Sequence, residues 1–131
     1  MVQFNTLKKL SMNMAQNILR NMKYVCEGYH TKLLLKAVSN KDAAILVAAG
    51  PSLNKNIQML KKAKNRLFIL AVDTAVKPLI KAGIKPDAFI TIDAKKSPDL
   101  IKIDGAETIP VIAPPTAGYK IMERQKAKKI F

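Results

Sequence analysis

The stretch from Ala43 to Leu53, AAILVAAGPSL, constrains the fold more than any other part of the chain. Its run of small and branched apolar residues, Ala43 to Ala48, has the composition of a strand covered on both faces, as in a parallel sheet. The run stops at Gly50-Pro51-Ser52. Beyond this turn Leu53, Ile57, Leu60 and Ala63 follow helical spacing, while Lys55, Lys61, Lys62 and Lys64 occupy the other positions. The pattern predicts strand, tight turn, helix. In open parallel sheets a ligand sits beyond the carboxyl ends of the strands. There a turn into a helix presents free backbone N–H groups and the positive end of the helix dipole, so an anion is the expected guest.

The turn has neither the three glycines of GxGxxG nor the Lys-Ser/Thr ending of a Walker loop, so neither dinucleotide binding nor Walker-type ATP hydrolysis is read from it. Gly50 allows close backbone approach or a positive φ. Pro51 suits a first helical turn. Ser52 either caps the helix or gives its hydroxyl to a ligand oxygen. On the alternative reading, Pro51 and Ser52 only start a helix.

Before the first strand, Phe4 to Val38 reads as helix, with Leu7, Leu10, Met14, Ile18, Met22 and Val25 near helical spacing and Gly28 as a break. The methionine-rich face is expected to be packing surface. Ser39 to Asp42 is a polar connector. After the first sheet helix, Leu67 to Val72 is a second strand ending in Asp73. A helix over Thr74 to Ala82 follows, capped by Asp73 or Thr74 and closed by Gly83. Ala88 to Ile92 is a third strand ending in Asp93. The β-α-β-α-β succession predicts an α/β, Rossmann-like, mostly parallel sheet with flanking helices and spatial order 3-2-1. Residues 95–105 read as loop, Thr108 to Ala113 as a fourth strand, Tyr119 to Lys129 as a helix and Lys128 to Phe131 as the start of another strand. The expected division is an N-terminal helical segment over 1–40 and a Rossmann-like nucleotide-binding domain over 41–131, incomplete at its C-terminus.

Each of Gly50, Asp73 and Asp93 closes a strand on its carboxyl side, so the three are expected to converge. Asp73 falls about 20 residues beyond the glycine turn, where an acidic residue of nucleotide-binding folds meets ribose hydroxyls. It could equally cap the next helix. Asp93 either holds a divalent cation through water or orients an acceptor hydroxyl, or it bonds its own loop backbone. Asp87, after Pro86, reads as turn chemistry alone.

Composition sets the outer limits. The 131 residues carry 23 Lys and Arg against 9 Asp and Glu, a formal charge of +14. That excess calls for an anionic partner, but it is mostly lysine spread along helices, without the aromatic-interleaved stripe of single-strand binders, so no nucleic-acid partner is expected. The single cysteine, Cys26, excludes an internal disulfide and fits a reducing compartment. No apolar run reaches the length of a signal peptide or a membrane span, so a soluble, cytoplasmic protein is expected. His30 is the lone histidine, which leaves Ser-His-Asp or His-metal chemistry little to work with and predicts a structural or solvent-facing role.

The chain resembles the motility accessory factors, a family of flagellin glycosyltransferases, and the related 6-hydroxymethylpterin pyrophosphokinase-like proteins. The likeness lies in VAAGPSLNKNIQMLK (Val47 to Lys61), LAVDTAVKPLIKAGIKPD (Leu70 to Asp87), FITIDAKKSPD (Phe89 to Asp99) and the asparagine-rich helix around Asn13 to Asn21. It implies a nucleotide-phosphate site on Gly50, Pro51 and Ser52, with further ligand contacts on Asp73 and Thr74 and a catalytic position at Asp93. The implied donor is a CMP-activated nonulosonic acid and the implied acceptor flagellin. The second reading is pyrophosphate transfer from ATP to a hydroxymethylpterin, with Asp73 and Asp93 holding Mg²⁺; the third is a non-catalytic binding module. No separate metal site or resident cofactor is expected. Such transferases are much longer than this chain, which is therefore expected to be inactive alone.

Overall fold

The computed structural model describes residues 2–126, with side chains from residue 8 onward. The elements run α1 (Val2–Glu27), α2 (Leu34–Val38), β1 (Ala43–Val47), α3 (Pro51–Ala63), β2 (Leu67–Val72), α4 (Asp73–Lys81), β3 (Ala88–Ile90), β4 (Val111–Ile112) and α5 (Tyr119–Arg124), with 3₁₀ turns at Thr31–Leu33, Pro98–Ile101 and Ala106–Thr108. All strand pairs are parallel and the sheet order is β1-β2-β3-β4. This is the α/β, Rossmann-like arrangement the periodicity predicts. It contains the 3-2-1 order and extends it past β3. The fourth strand is shorter than expected, because Thr108 belongs to a 3₁₀ turn and Pro110 has no N–H to give a ladder. Pro110 still takes part through its carbonyl, which accepts from Phe89 N at 3.0 Å. The expected strand start at Lys128 to Phe131 lies outside the described residues.

Local chemistry explains most boundaries. α1 ends at Glu27, just before Gly28. α4 closes in a Schellman arrangement: Gly83 adopts φ +76°, its N–H donates to Ile80 O at 2.9 Å, and Ile84 N donates to Leu79 O at 2.9 Å. Ile84 is thereby turned inward and fully buried. Asp87 does more than the expected turn chemistry. Its Oδ2 accepts from Ile69 N at 2.8 Å and its own N–H donates to Ile69 O at 2.9 Å, so it fastens the start of β3 to the middle of β2.

The core lies under β2, β3 and α4, where Ile69, Val76, Leu79 and Phe89 are buried, and continues through Ile109, Val111 and Ile121. Two expectations about packing are corrected here. β1 is not covered on both faces: it is an edge strand, exposed from Ala43 to Leu46, with Leu46 63% exposed and only Val47 buried. Nor does most of the apolar stripe of α1 pack inward. Leu10 and Met14 are half-buried, but Ile18, Met22 and Val25 are exposed, as are Met12 and Leu19, and among the described side chains of the helix the buried ones are Asn17 and Asn21. The reason is polar. The loops after β3 and β4 leave carbonyls at the sheet edge that need donors, and the two amides supply them.

Candidate functional site

Parallel strands bring the ends of β1, β2, β3 and β4 to one edge of the sheet. At β1 the turn is plain. Gly50 is the N-cap of α3 with φ −83° and ψ 166°, and Pro51 is the first helical residue. Gly50 therefore needs no positive φ. A Cβ there would meet only Ser52 Oγ, at 3.7 Å, so the glycine leaves space above the turn rather than resolving a strained backbone. Ser52 does not cap the helix, since α3 has no side-chain cap hydrogen bond. Pro51 carries no N–H and Leu53 N donates to Gly50 O at 3.0 Å. Among the donors left at this exposed turn are the Ser52 N–H and hydroxyl.

Asp73 begins α4 as its first residue, behind Val72 as N-cap, so neither Asp73 nor Thr74 caps the helix. The Asp73 side chain is buried and turns toward β3, where Oδ2 accepts from Thr91 Oγ1 at 2.8 Å. The Lys96 ammonium lies 3.3 Å from Oδ1. With side-chain exposures of 23% for Lys96 and 9% for Asp73, this pair is partly shielded from water, unlike the exposed pair Arg66–Asp42. Thr74, next along the helix, is half-buried.

Asp93 is exposed, and its carboxylate accepts from Lys95 N at 2.8 Å, the loop-backbone arrangement that was one of its two readings. Its carbonyl accepts from Gly118 N at 3.1 Å. Gly118 is buried against this loop: a Cβ would stand 3.2 Å from Lys96 O and 3.6 Å from Asp93 O. A side chain at 118 would require the Lys96 carbonyl to give by a few tenths of an ångström, so glycine suits the close approach of the chain after β4 to the chain after β3.

From above, α1 clasps both loops. Asn17 Nδ2 donates to Ala94 O and Thr116 O, each at 2.9 Å, and Asn21 Nδ2 donates to Pro115 O at 2.9 Å and Ala117 O at 2.8 Å. Arg20 stacks over the Tyr119 ring at 4.8 Å. Thr91, Lys96, Gly118 and the asparagine pair are the site residues that sequence reasoning did not single out. The spacing of Asn13, Asn17 and Asn21, four apart on one helical face, was the available signal. His30 is exposed, its Nδ1 accepting from Lys32 N at 3.1 Å at the start of a 3₁₀ turn.

The sequence from residue 16 to 131 matches the family model described as "6-hydroxymethylpterin diphosphokinase MptE-like". The chain belongs to this MptE-like family. An uncharacterized protein of Treponema pallidum (strain Nichols) is 35% identical to this MptE-like chain over 78 residues, which are 60% of the chain and 36% of that relative. The solved structure of the MAf glycosyltransferase from Magnetospirillum magneticum AMB-1 superposes with a TM-score of 0.57 at 19% identity, covering 67% of this chain and 14% of that one. At that identity the likeness is one of fold. This MptE-like chain thus spans about a third of the length of the relative and a smaller share of the solved structure. Among the described residues no helix is long and apolar enough to cross a membrane, and no group of three or more His, Cys, Asp and Glu could hold a metal ion.

Proposed function

We propose that the chain is the nucleotide-binding part of a transferase, with the donor phosphate on the Gly50-Pro51-Ser52 turn and the nucleoside extending toward Asp73 and Thr74. The observation that carries this reading is the uncapped start of α3, where the Ser52 N–H and hydroxyl face open space that Gly50 leaves clear. A 13-residue helix adds its positive dipole end to these donors, and a leaving phosphate is stabilised by such donors. The fold shared with the MAf glycosyltransferase supports a glycosyl donor. Within that class we take the donor to be a CMP-activated nonulosonic acid and the acceptor a flagellin hydroxyl.

Diphosphate transfer from ATP to a hydroxymethylpterin is the second reading, favoured by the family's description. The residues at hand do not assemble a Mg²⁺ site: the Asp73 carboxylate is matched by Lys96 and Thr91, and that of Asp93 is folded onto its own loop.

Calorimetric titration of the chain with CMP and with ATP, each with and without Mg²⁺, tests the reading when wild type is compared with Asp73→Asn. A ribose contact predicts weaker CMP binding by about 1 kcal/mol, equal with and without Mg²⁺. A loss confined to ATP with Mg²⁺ would move the assignment to the diphosphokinase reaction. Absence of binding by either nucleotide would leave only the binding-module reading.

A further inference from the structure

A second feature of the carboxyl edge lies beside the loops after β3 and β4, away from the Gly50 turn. A cavity of about 290 Å³ opens there between α1 and those loops, and Lys95, Lys96, Lys120, Asn13, Gln16 and Tyr119 are among its lining residues. No lining residue is acidic. Lys96 has its partner in Asp73, whereas among the described residues Lys95 and Lys120 form no ion pair. Asp93, two residues before Lys95, accepts from the backbone N–H of Lys95 and forms no ion pair with its ammonium.

The walls are fixed. Asn17 holds the floor through Ala94 and Thr116, Gly118 sets the approach of the two loops, and Arg20 packs on Tyr119. Three lysines lining one cavity without an acidic residue among its walls give it a positive potential that favours an anion, and lysine binds phosphate as a point charge on a flexible stem. The volume sits near the lower bound of small-molecule sites, roughly 300 Å³, enough for a single sugar ring. Asn13 and Gln16 add donors and acceptors suited to hydroxyl groups.

We infer that this cavity is an anion site distinct from the Gly50 turn, taking a monosaccharide-sized ligand that bears a phosphate or carboxylate. Lys95 and Lys120 grip the oxyanion, the amides of Asn13 and Gln16 meet ring hydroxyls, and Lys96 shares its charge between the ligand and Asp73. The inference stands on the cavity and its charges and not on the nucleotide reading. Nucleotide binding could fail at Ser52 while this site holds, and the reverse.

The test is an amide-resolved NMR titration of the full chain at constant ionic strength. The probes are glucose 6-phosphate, glucuronate and, as the neutral control, glucose. Saturable shifts at residues 94–96 and 118–120 are expected with at least one anion and not with glucose. The tighter anion identifies the group as phosphate or carboxylate. Lys95→Gln with Lys120→Gln should raise the midpoint about tenfold or more, whereas Lys62→Gln with Lys81→Gln, which removes the same charge from exposed helix positions, should leave it within about twofold of wild type. These lysines are exposed, so the folded spectrum should persist. The inference is overturned by no saturable shift with either anion, by glucose binding as tightly as the anions, or by the Lys95/Lys120 variant matching wild type.

Discussion

The two ends of the carboxyl edge are built in opposite ways. At the β1 end, the Gly50 turn is exposed, follows an edge strand with four of five residues exposed, and is held by few contacts beyond its own helix. At the β3–β4 end, the loops are fastened by four amide hydrogen bonds from α1, by the buried Gly118 and by the Asp73–Thr91–Lys96 cluster. The turn that stands out in the sequence is the least constrained part of the edge, and the part without a recognisable local pattern is the most constrained. A turn that must admit a ligand has little of its own to satisfy. A wall that must hold its shape pairs most of its polar groups, with the buried Asn21 Oδ1 the exception among the described residues.

The largest expected effect breaks the constrained end. Asn17→Ala removes two hydrogen bonds to buried or half-buried carbonyls and leaves them without donors, which should cost about 3 kcal/mol in urea unfolding. A loss below about 1 kcal/mol would mean that water replaces the amide and that the contrast is overstated. Next, Gly118→Ala places a methyl 3.2 Å from Lys96 O and should cost about 2 kcal/mol. It should also shift the NMR signals of residues 94–96, since the loop after β3 has to move. The smallest effect belongs to the open end. Gly50→Ala introduces a methyl that meets only Ser52 Oγ, at 3.7 Å, in a backbone conformation that any residue adopts. Its midpoint of unfolding should correspond to a change within about 0.5 kcal/mol, and a stabilising sign is expected because alanine narrows the unfolded ensemble. Should Gly50→Ala prove as damaging as Gly118→Ala, the two ends are not built differently.

The same contrast separates what was legible in the sequence from what was not. Apolar period and turn chemistry are local, so strands from Ala43, Leu67 and Ala88, the helix start at Pro51 and the closure at Gly83 could be read in order. The placement of Gly50, Asp73 and Asp93 at one edge followed from parallel topology. What escaped depends on distant partners. Asn17 meets residues 77 and 99 positions away, so its burial in place of Met22 or Val25 has no local signature. Asp73 looked like a cap because an acid before a helical run usually is one; Thr91 and Lys96, 18 and 23 positions on, draw its carboxylate instead. The exposed faces of β1 could not be foreseen from composition, because an apolar run is the same in an edge strand as in a central one.

The clasp of α1 also has a consequence in time. Its amides bond to carbonyls that lie 77 to 99 residues later in the chain. At a synthesis rate of roughly 5–20 residues per second, the helix is made about 4–20 s before its partners exist. Until then Asn17 and Asn21 are hydrated, and nothing from the sheet edge fixes the helix's orientation. The helix is therefore among the last elements to find its place although it is made before its partners, and the lysine-lined cavity that it closes takes shape only after residues 118–120 have been added.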